Sequence, residues 1–598
     1  MKIAPCLERL AHSPWILSKR TGKSRIHPLC LLLSGLAFWS VSANEARAVG
    51  ASTPFTTIEA ESGTLAGGAI VRSLVDTGSP PAISSPELEA SGRSFVQLNA
   101  TGQSVSWTNP VANATAINVR FCIPDGATGG GTTATLNLYV NGVFRQALTF
   151  SSAQSWLYET GLTANGMSNT PGTGLYPHLF WDEAHAWISG AAVASGSTIM
   201  LKQDAANTSA YYYIDCIDLE APPAALTQPA NSLSVIAYGA TANGVTDDTN
   251  AIQDCINAAQ QSSANKTVWL PPGTYIVTKA ISATTVTIAG AGMWYTTIYK
   301  KPFGSIRSQI SLSGSTIENL YINTNSVVRA LGTGSDYGIN TGGSNWVVEN
   351  VWLQHTDAAI WASGTGGLAQ NCRIANSFAD GINLNNGNDI VGNNLTAKNN
   401  FVRGAGDDGV TIYANNVNGT GTIVNTAVLD HNTSIAPWWA NCLRVAGGEN
   451  LTVSNNLLCD GVTNQGMTVS IFGTSGFPLI SATINNNTIE RCGGTVNFPY
   501  GMFIGGSSTQ PVTATVTANI IDHSLYTGVG VGTNTTLTFG PSNQVTYPGT
   551  TGIDILANST GTGTFTSNVV SGVNTGQVAF INNSPTTFTA TRTGNTGF

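Results

Sequence analysis

Three aspartates stand out in a chain in which only 9% of the residues are charged. Asp380 lies in SFADGINL, and the adjacent Asp407 and Asp408 lie in GAGDDGVTIY. Both stretches pass from an acidic residue through glycine into alternating apolar residues, so they occupy the same point of two repeats. If the repeats stack as neighbouring strands, Asp380 and Asp408 lie about 4.8 Å apart. Two carboxylates at that distance repel by roughly 3 kcal/mol at an effective dielectric constant near 20, a cost that indicates a chemical use.

Carboxyl groups arranged in this way can hydrolyse a glycosidic bond. One group protonates the leaving oxygen and another activates water, and inverting enzymes place the two roughly 6.5–9.5 Å apart. Repulsion between adjacent acids raises the pKa of one, which keeps it protonated near neutral pH. We therefore predict Asp407 as the general acid, with Asp380 and Asp408 holding and deprotonating the water; the exchange of roles between Asp407 and Asp408 stays open. The simpler alternative is that an aspartate before glycine only shapes a turn.

Repeated short strands are the elements that must position these acids. One column of asparagines precedes apolar strands at steps of 21 to 38 residues: Asn319, Asn350, Asn371, Asn394, Asn432, Asn456, Asn487 and Asn519. A second column precedes the next strand of each repeat: Ala358, Asp380, Asp408, Asn441, Gln465, Tyr500 and Thr527. Irregular periods of this size with short strands predict a right-handed parallel β-helix, in which the asparagines hydrogen-bond from coil to coil.

We call the second column, which contains Asp380 and Asp408, the acid column. An outward-facing row is expected three residues after each of its members. The members of this row are Trp361, Asn383, Thr411, Arg444, Thr468 and Phe503. We expect Trp361, Arg444 and Phe503 to flank the carboxylates, because sugar C–H faces stack on aromatic rings and a guanidinium can orient a hydroxyl group.

Three further residues are candidates for substrate binding. Trp438 and Trp439 precede the acid-column residue of the next coil and either add aromatic surface or pack a long turn. Asp357 aligns with Asp407 two coils away, at roughly 10 Å. It shapes the site, binds a sugar hydroxyl or only forms a turn.

The chain divides into four predicted segments. Residues 1–48 are a signal peptide, with a basic region, an apolar stretch over 29–41 and cleavage after Ala43 or Ala48, so we expect a secreted protein. Residues 49–222 form a β-sandwich of short alternating strands, 223–232 a Pro/Ala-rich linker, and 233–598 the β-helix. The β-helix begins with a capping helix, for which Thr246 and Asp247 are candidate N-caps.

Net charge and cysteine content limit the classes of partner and metal that we expect. Removing residues 1–48 takes away 7 basic and 2 acidic residues, which leaves 17 basic and 30 acidic residues and a net charge of −13. Such a charge disfavours nucleic acid and anionic membranes and is compatible with a neutral polysaccharide. Seven cysteines remain, and none lies in a CxxC or Cys/His pattern typical of zinc sites. We expect a monomer.

At these residues the chain resembles glycoside hydrolase family 87, the bacterial α-1,3-glucanases (mutanases) and mycodextranases. ADGINL, GDDG, APWWANCLRVAGG and YGMFIGG carry the resemblance. It implies an inverting hydrolysis of α-1,3-linked glucan by Asp380, Asp407 and Asp408, with no cofactor for catalysis.

A second resemblance concerns the N-terminal segment. IEAESG and YIDCIDLE resemble a family 6 or 35 carbohydrate-binding module. This resemblance implies a structural Ca²⁺ held near Glu59, Glu61 and Asp218, although these acids could simply flank strands.

Three other functions remain open from the sequence. A polygalacturonase-like hydrolase also uses three aspartates, but here neither Gly-His-Gly nor Arg-Ile-Lys follows them. A polysaccharide lyase would need Arg403, Lys398 or Arg444 as its base. A non-catalytic adhesin would keep its affinity for sugar after loss of the three acids.

Overall fold

The computed structural model describes residues 49–74, 85–160, 167–301, 310–329, 337–387, 391–416, 421–461, 463–473, 476–493 and 500–598. The predicted signal peptide, residues 1–48, lies outside the described residues. Val49–Phe598 form one compact unit. None of the helices in the described ranges has the length and apolar character needed to span a bilayer.

The N-terminal part of the described chain contains two antiparallel sheets. One has six strands: Phe55–Glu59, Ile70–Ser73, Ser94–Leu98, Ala116–Cys122, Asp182–Trp187 and Tyr212–Glu220. The other has five: Thr64–Ala66, Ser104–Thr108, Thr133–Val140, Val143–Ser151 and Thr198–Lys202. Trp156–Glu159 and Tyr176–Leu179 form a separate pair. Alternate residues of both large sheets, such as Val119 and Leu138, share one hydrophobic core.

A parallel β-helix follows, and two of its sheets run along its length. The described part of the shorter sheet has 12 strands: Ile281–Thr284, Ile310–Ser313, Ile339–Gly342, Ile360–Ala362, Ile382–Asn385, Val410–Tyr413, Leu443–Ala446, Met467–Ser470, Tyr500–Gly505, Thr527–Val531, Ile553–Ile555 and Phe580–Asn582. Their inward residues, including Ile382, Val410 and Leu443, pair in register and are fully buried. These residues follow the second column of the repeats by two positions and form an inward-facing row.

The longer sheet contains two strands joined by a tight turn in most coils, and one continuous strand in the coils of Thr316–Asn323 and Val347–Gln354. Its 25 described strands are Ser232–Ser234, Asn243–Asp247, Thr267–Leu270, Gly273–Val277, Thr287–Gly290, Thr296–Lys300, Thr316–Asn323, Val347–Gln354, Leu368–Gln370, Arg373–Ala375, Thr396–Lys398, Phe401–Arg403, Val428–Asp430, Thr433–Ile435, Leu451–Ser454, Leu457–Cys459, Leu479–Asn485, Thr488–Glu490, Val512–Thr517, Ile520–Asp522, Thr535–Phe539, Gln544–Thr546, Gly561–Thr566, Val569–Ser571 and Phe588–Thr593. Gly364–Thr365 and Gly392–Asn393 form a further short pair.

Helices are few among the described residues. The α-helices are Pro86–Glu89 and Thr249–Gln261, and short 3₁₀ turns span Ala60–Ser62, Ser91–Arg93 and Val235–Tyr238. The longer helix buries Ile252 and Ile256 in the same core as the first coils. It begins after the predicted caps: Asp248 holds the N-cap position, while the Asp247 carboxylate accepts hydrogen bonds from Thr249.

Asparagines do stack along the β-helix. Each side-chain amide donates to the next side chain at 2.8–3.1 Å through Asn400, Asn432, Asn456, Asn487, Asn519, Asn543, Asn568 and Asn595. The ladder therefore includes four members of the predicted column. Asn400, not Asn394, occupies this position in its coil, while Asn319, Asn350 and Asn371 lie at left-handed positions on the outside of the turn.

The N-terminal sheets pack directly on the strands that lead to the acid column. Arg373 and Arg403 of the β-helix reach Asp218 of the six-stranded sheet at 2.5 and 2.6 Å. Arg403 also contacts Glu183 at 2.5 Å. All four side chains are buried, so this contact is an internal interface and not a surface between independent modules. Residues of the predicted linker pack on the β-helix too, since the Leu226 amide donates to Ala291.

Candidate active site

The acid column has the predicted register. The Ala359 amide donates to the Asp380 carbonyl at 2.9 Å, and the Gly381 amide donates to the Asp408 carbonyl at 3.0 Å. The coil spacing thus places the two aspartates on adjacent strands. One carboxylate oxygen from each of Asp380, Asp407 and Asp408 lies within 4.8 Å of the other two. The fold therefore brings together all three aspartates singled out by the sequence.

Burial and mutual repulsion shift the titration of this cluster. Asp380 and Asp408 are buried, and Asp407 is half-buried at the cleft. Burial, followed by the charges of Asp407 and Asp408, raises the pKa of Asp380 well above its usual range. Burial and then the Asp407 charge raise the pKa of Asp408 to about 6, although Arg444 and a 2.6 Å hydrogen bond from Asn441 oppose the shift. The cluster therefore retains protons at pH values where isolated aspartates are ionised.

Arg329 supplies a positive charge at the cluster. It donates to Asp407 at 2.6 Å, and its guanidinium lies 4.8 Å from the centre of the Trp439 ring. Although burial opposes it, the carboxylates of Asp407, Asp380 and Asp357 raise the pKa of Arg329. The sequence pattern did not indicate this residue. Arg329 lies outside both repeat columns, so the spacing pattern contained no signal for it.

The cluster opens into a cleft of about 260 Å³. Tyr337 stacks on Trp361 with parallel rings 5.3 Å apart on one side. On the other side Tyr413 meets Phe472 edge to face, and Arg444 lies over Phe472 at 5.1 Å. These aromatic walls suit the C–H faces of sugar rings. Of them, the sequence indicated only Trp361.

Several buried polar atoms at the cleft have no hydrogen-bond partner among the described residues. They are Thr411 Oγ1, Arg329 Nη1 and Arg444 Nε. A buried donor without a partner is costly, and a bound polyhydroxylated molecule can satisfy it. The cleft therefore presents both charged acceptors and unused donors.

The outward row also has the predicted register. Strand pairing aligns Trp361, Asn383, Thr411, Arg444, Thr468 and Phe503. Trp361 and Arg444 line the cleft, and so does Asp357. The backbone joins Asp357 to Ala379 and Ala379 to Asp407, which is the predicted alignment two coils apart. Phe503 lies two coils beyond Arg444 and does not line this cleft.

Trp438 is not placed to bind substrate. Only 2% of its surface is exposed, because Phe180 of the N-terminal part stacks on it at 5.0 Å and Phe378 packs at its edge. The packing alternative considered from the sequence is the one the structure adopts. Trp439 is half-buried beneath Arg329, so it supports the cleft through that residue and does not line it.

The residues expected to bind Ca²⁺ do not fit such a site. Asp218 accepts hydrogen bonds from Arg373, Arg403 and Asn118, which use its oxygens for ion pairing. Glu59 and Glu61 are buried acids whose pKa values are raised to about 8 and about 9, first by burial. Among the described residues, Glu59, Glu61 and Asp218 do not form a group whose ligand atoms lie close enough together to share one metal ion. The expectation fails because arginines distant in sequence occupy the acid that seemed free.

Among the described residues, Asp380, Asp407 and Asp408 form the one group of three acidic, histidine or cysteine side chains close enough to share a metal ion. Arg329 already balances part of its charge. The expected lack of a catalytic cofactor stays a prediction.

A cluster of carboxyl groups in an aromatic cleft on a β-helix is typical of a polysaccharide-degrading enzyme. Models of the α-1,3-glucanase catalytic domains D1 and D2 match residues 52–221 and 244–504. Together the two matches cover more than two thirds of the chain. The chain therefore belongs to the α-1,3-glucanase family of glycoside hydrolases, family 87. The D1 match assigns residues 52–221 to the catalytic domain, and the expected carbohydrate-binding module stays a prediction.

Solved structures agree with this assignment. The Agl-KA catalytic domain is 25% identical, with 91% of this chain and 98% of that chain covered and a TM-score of 0.80. The catalytic unit of a thermostable GH87 α-1,3-glucanase from Streptomyces thermodiastaticus strain HF3-3 is 28% identical, with 92% and 98% covered and a TM-score of 0.75. A GH87 α-1,3-glucanase variant in complex with tetrasaccharides is 25% identical, with 92% and 100% covered and a TM-score of 0.77.

Curated relatives match only in part. Alginate lyase 7 of Azotobacter vinelandii is 30% identical over 188 residues, which are 25% of this chain and 22% of that protein. The plasmin and fibronectin-binding protein A of Streptococcus pneumoniae is 46% identical over 50 residues, 8% of this chain and 7% of that protein. The chain thus spans less than a quarter of either.

Proposed function

We propose that this protein hydrolyses α-1,3-glucosidic linkages of a neutral glucan. The observation that carries the proposal is the cluster of Asp380, Asp407 and Asp408, whose three carboxyl groups meet in a cleft without a full set of counter-charges. Relatives that carry single Asp→Ala substitutions hold tetrasaccharides or nigerose. These complexes support a glucan oligosaccharide as the ligand of this cleft.

The proposed reaction divides the work among the three acids. The carboxyl of Asp407 gives its proton to the glycosidic oxygen, so that the C–O bond breaks with a neutral leaving hydroxyl. Arg329, 2.6 Å away, then balances the carboxylate that remains. Protonated Asp380 holds a water molecule, and Asp408 takes a proton from that water. The water oxygen then attacks the anomeric carbon. Asn441 fixes Asp408 through two hydrogen bonds.

Inversion is part of the proposal, and retention is its rival. The nearest carboxylate oxygens lie within 4.8 Å, which is closer to the roughly 5–5.5 Å between carboxyl groups of retaining enzymes than to the 6.5–9.5 Å of inverting ones. In the retaining alternative one aspartate attacks the sugar directly. We favour inversion because two buried acids side by side can hold a water molecule between them while the more exposed Asp407 faces the leaving group.

Substrate choice is tested with a panel of polysaccharides. We expect the full-length protein to release reducing sugar from insoluble α-1,3-glucan and from nigeran, and none from dextran or polygalacturonate. Release from polygalacturonate alone would replace the proposal with the polygalacturonase-like alternative. Binding without release from any member would favour the adhesin alternative.

The lyase alternative is less well supported. Arg403 is buried between Glu183 and Asp218 and is not available as a base, and Lys398 is exposed and lies outside the cleft. Arg444 lines the cleft and is the remaining candidate. Lyase products absorb ultraviolet light through a new double bond, whereas we expect products without such absorption.

The identity of the general acid has its own test. An aryl α-glucoside with an acidic phenol as leaving group needs little protonation. We therefore expect Asp407→Asn to retain much more activity on such a substrate than on glucan, while Asp380→Asn and Asp408→Asn lose activity on both. Retention by Asp408→Asn instead would exchange the roles of Asp407 and Asp408.

We also propose the remaining expectations of the sequence analysis: export after removal of residues 1–48, a monomeric enzyme, right-handed winding of the β-helix and a capping role for the helix Thr249–Gln261. The basic and apolar N-terminal pattern supports export. Sequencing the N-terminus of the protein in culture medium and measuring its mass in solution test the first two.

A further inference from the structure

A second cleft of the described structure is distinct from the acid cluster. It measures about 640 Å³ and lies where residues 52–55 and Glu220 of the N-terminal part meet the outer turns of the β-helix. We call it the seam cleft. Its floor includes Trp294, Asn319, Asn350, Asn371 and Asn399 from five successive coils. At the spacing of parallel strands this floor is about 20 Å long, so it can hold a chain of several sugar units.

Aromatic side chains are held in fixed positions along the seam cleft. The half-buried Trp294 donates its indole N–H to Glu220 at 3.0 Å and meets Trp352 edge to face. The Arg373 guanidinium is held between the rings of Phe55 and Trp352 at 4.2 and 4.1 Å. Because these rings are preorganised, stacking a sugar on the accessible part of the Trp294 indole costs little conformational entropy.

The seam cleft contains both hydrogen-bond donors and hydrogen-bond acceptors. Trp352 Nε1 and Arg373 Nε are buried donors without a hydrogen-bond partner among the described residues. Glu318 and Glu349 lie directly opposite each other on neighbouring strands and are half-buried acceptors. A ligand that both donates and accepts hydrogen bonds satisfies both sets, and hydroxyl groups do this.

Charge narrows the class of ligand. Glu220, Glu318 and Glu349 contribute carboxyl groups to the seam cleft, while the charge of Arg373 is balanced by Asp218 outside it. A polyanion such as a uronate polymer would therefore be repelled.

We propose that the seam cleft is an accessory binding site for a neutral glucan chain and anchors insoluble polysaccharide to the enzyme. The proposal rests on the function proposed above. One coil serves both clefts: Cys372 and Arg373 line the seam cleft, and Ala379 and Asp380 line the catalytic cleft, with the strand Arg373–Ala375 between them. The anchored chain is thereby held at a fixed, short distance from the acids.

The test separates binding from catalysis. Depletion of the full-length protein by insoluble α-1,3-glucan is measured in the Asp380→Asn background, so that the polymer is not digested. We expect Trp294→Ala and Glu318→Ala each to weaken this binding about five- to tenfold. With Asp380 restored, both variants keep kcat/KM on a soluble nigero-oligosaccharide within twofold. Tyr547→Ala, which removes an exposed aromatic ring outside both clefts, serves as the matched control and changes neither quantity.

Other outcomes overturn the inference. Unchanged binding by folded Trp294→Ala and Glu318→Ala would remove the seam cleft as a glucan site, and so would equal binding of polygalacturonate. A parallel loss of oligosaccharide turnover would make the two residues structural. If Trp294→Ala fails to fold, Glu318→Ala decides alone. Failure of the wild-type protein to cleave any α-glucan would instead refute the proposed function, independently of the variants.

Discussion

Two buried clusters of acids in this protein have opposite surroundings. At the interface between the N-terminal sheets and the β-helix, Asp218 and Glu183 meet Arg373 and Arg403, so that two acids face two arginines. In the catalytic cleft, three aspartates within 4.8 Å share one directly paired arginine, Arg329. The number of acids is similar in the two clusters, but only the second has unbalanced charge.

The pKa shifts of the acids in the two clusters have opposite signs. Although burial opposes it, Arg403 and then Arg373 lower the pKa of Asp218. In the cleft, burial and neighbouring carboxylates raise the pKa of Asp380 and Asp408. A buried acid is therefore evidence for chemistry only when its counter-charges are incomplete, and the clusters can be separated by experiment.

The largest expected difference is in activity. Asp380→Asn, Asp407→Asn and Asp408→Asn are each expected to lower kcat on glucan by at least about 10³-fold, because each removes a proton-transfer or water-holding group. The unfolding temperatures of Asp380→Asn and Asp408→Asn should equal or exceed that of the wild type, because repulsion is relieved, whereas Asp407→Asn also loses the ion pair with Arg329. Asp554→Asn, at a half-buried acid on the same sheet outside the cleft, is the control and should keep its activity. Near-full activity in all three cleft variants would remove this site.

Substitution in the interface cluster should lower the free energy of unfolding. Asp218→Asn leaves Arg373 and Arg403 short of one buried counter-charge, and breaking a buried pair costs about 3–5 kcal/mol of the free energy of unfolding. Urea denaturation measures this loss. The control Asp204→Asn breaks a more exposed pair with Lys202 in the same part of the chain and should cost less than about 1 kcal/mol. A small loss for Asp218→Asn, together with a large loss of kcat, would mean that the two clusters are not distinct in kind.

The pH dependence of stability should have opposite slopes for the two acids. The folded-state pKa of Asp408 is raised from 3.8 to about 6, so its protonation stabilises the folded state at low pH, and this contribution is lost as pH rises through about 6. Relative to Asp408→Asn, the wild type should lose up to about 3 kcal/mol between pH 4 and pH 7. The Asp218 contribution is present above the unfolded pKa and is lost on acidification. Urea denaturation of the wild type and the Asp408→Asn variant between pH 4 and pH 7 measures the Asp408 slope. The same series for Asp218→Asn must extend below pH 4, where the Asp218 contribution is lost, and wild-type curves parallel to both variants would contradict this account.

The smallest expected effect is a shift of the activity profile. The Arg444 charge lowers the pKa of Asp408, so Arg444→Met should raise that pKa and move the acidic limb of the kcat/KM profile to higher pH. Arg444→Lys keeps the charge and should leave the limb nearer its wild-type position. An unmoved limb in Arg444→Met would mean that Asp408 does not control it.

The sequence predicts what the coil repeat controls. Because each coil advances by one strand spacing, counting residues was sufficient to align Asp380 with Asp408 and Trp361 with Arg444. The repeat says nothing about segments that leave it. Arg329 reaches Asp407 across 78 positions of the chain and belongs to neither column.

Contacts between the N-terminal sheets and the β-helix were also not predictable from the sequence. Trp438 is buried because Phe180 stacks on it. Asp218 is paired with Arg373 and Arg403, which lie 155 and 185 positions away in the sequence. Local patterns do not report which distant residue will cover an aromatic ring or neutralise an acid. The expected Trp438 sugar contact and the expected Ca²⁺ site both concern residues at this interface, and the structure favours neither.

The most direct measurement is the configuration of the first product. Proton NMR during hydrolysis of soluble nigero-oligosaccharides resolves the new reducing end before it equilibrates. We expect the β-anomer to appear first with the wild type and no product with Asp380→Asn. Initial release of the α-anomer would show retention and contradict a water molecule held between Asp380 and Asp408.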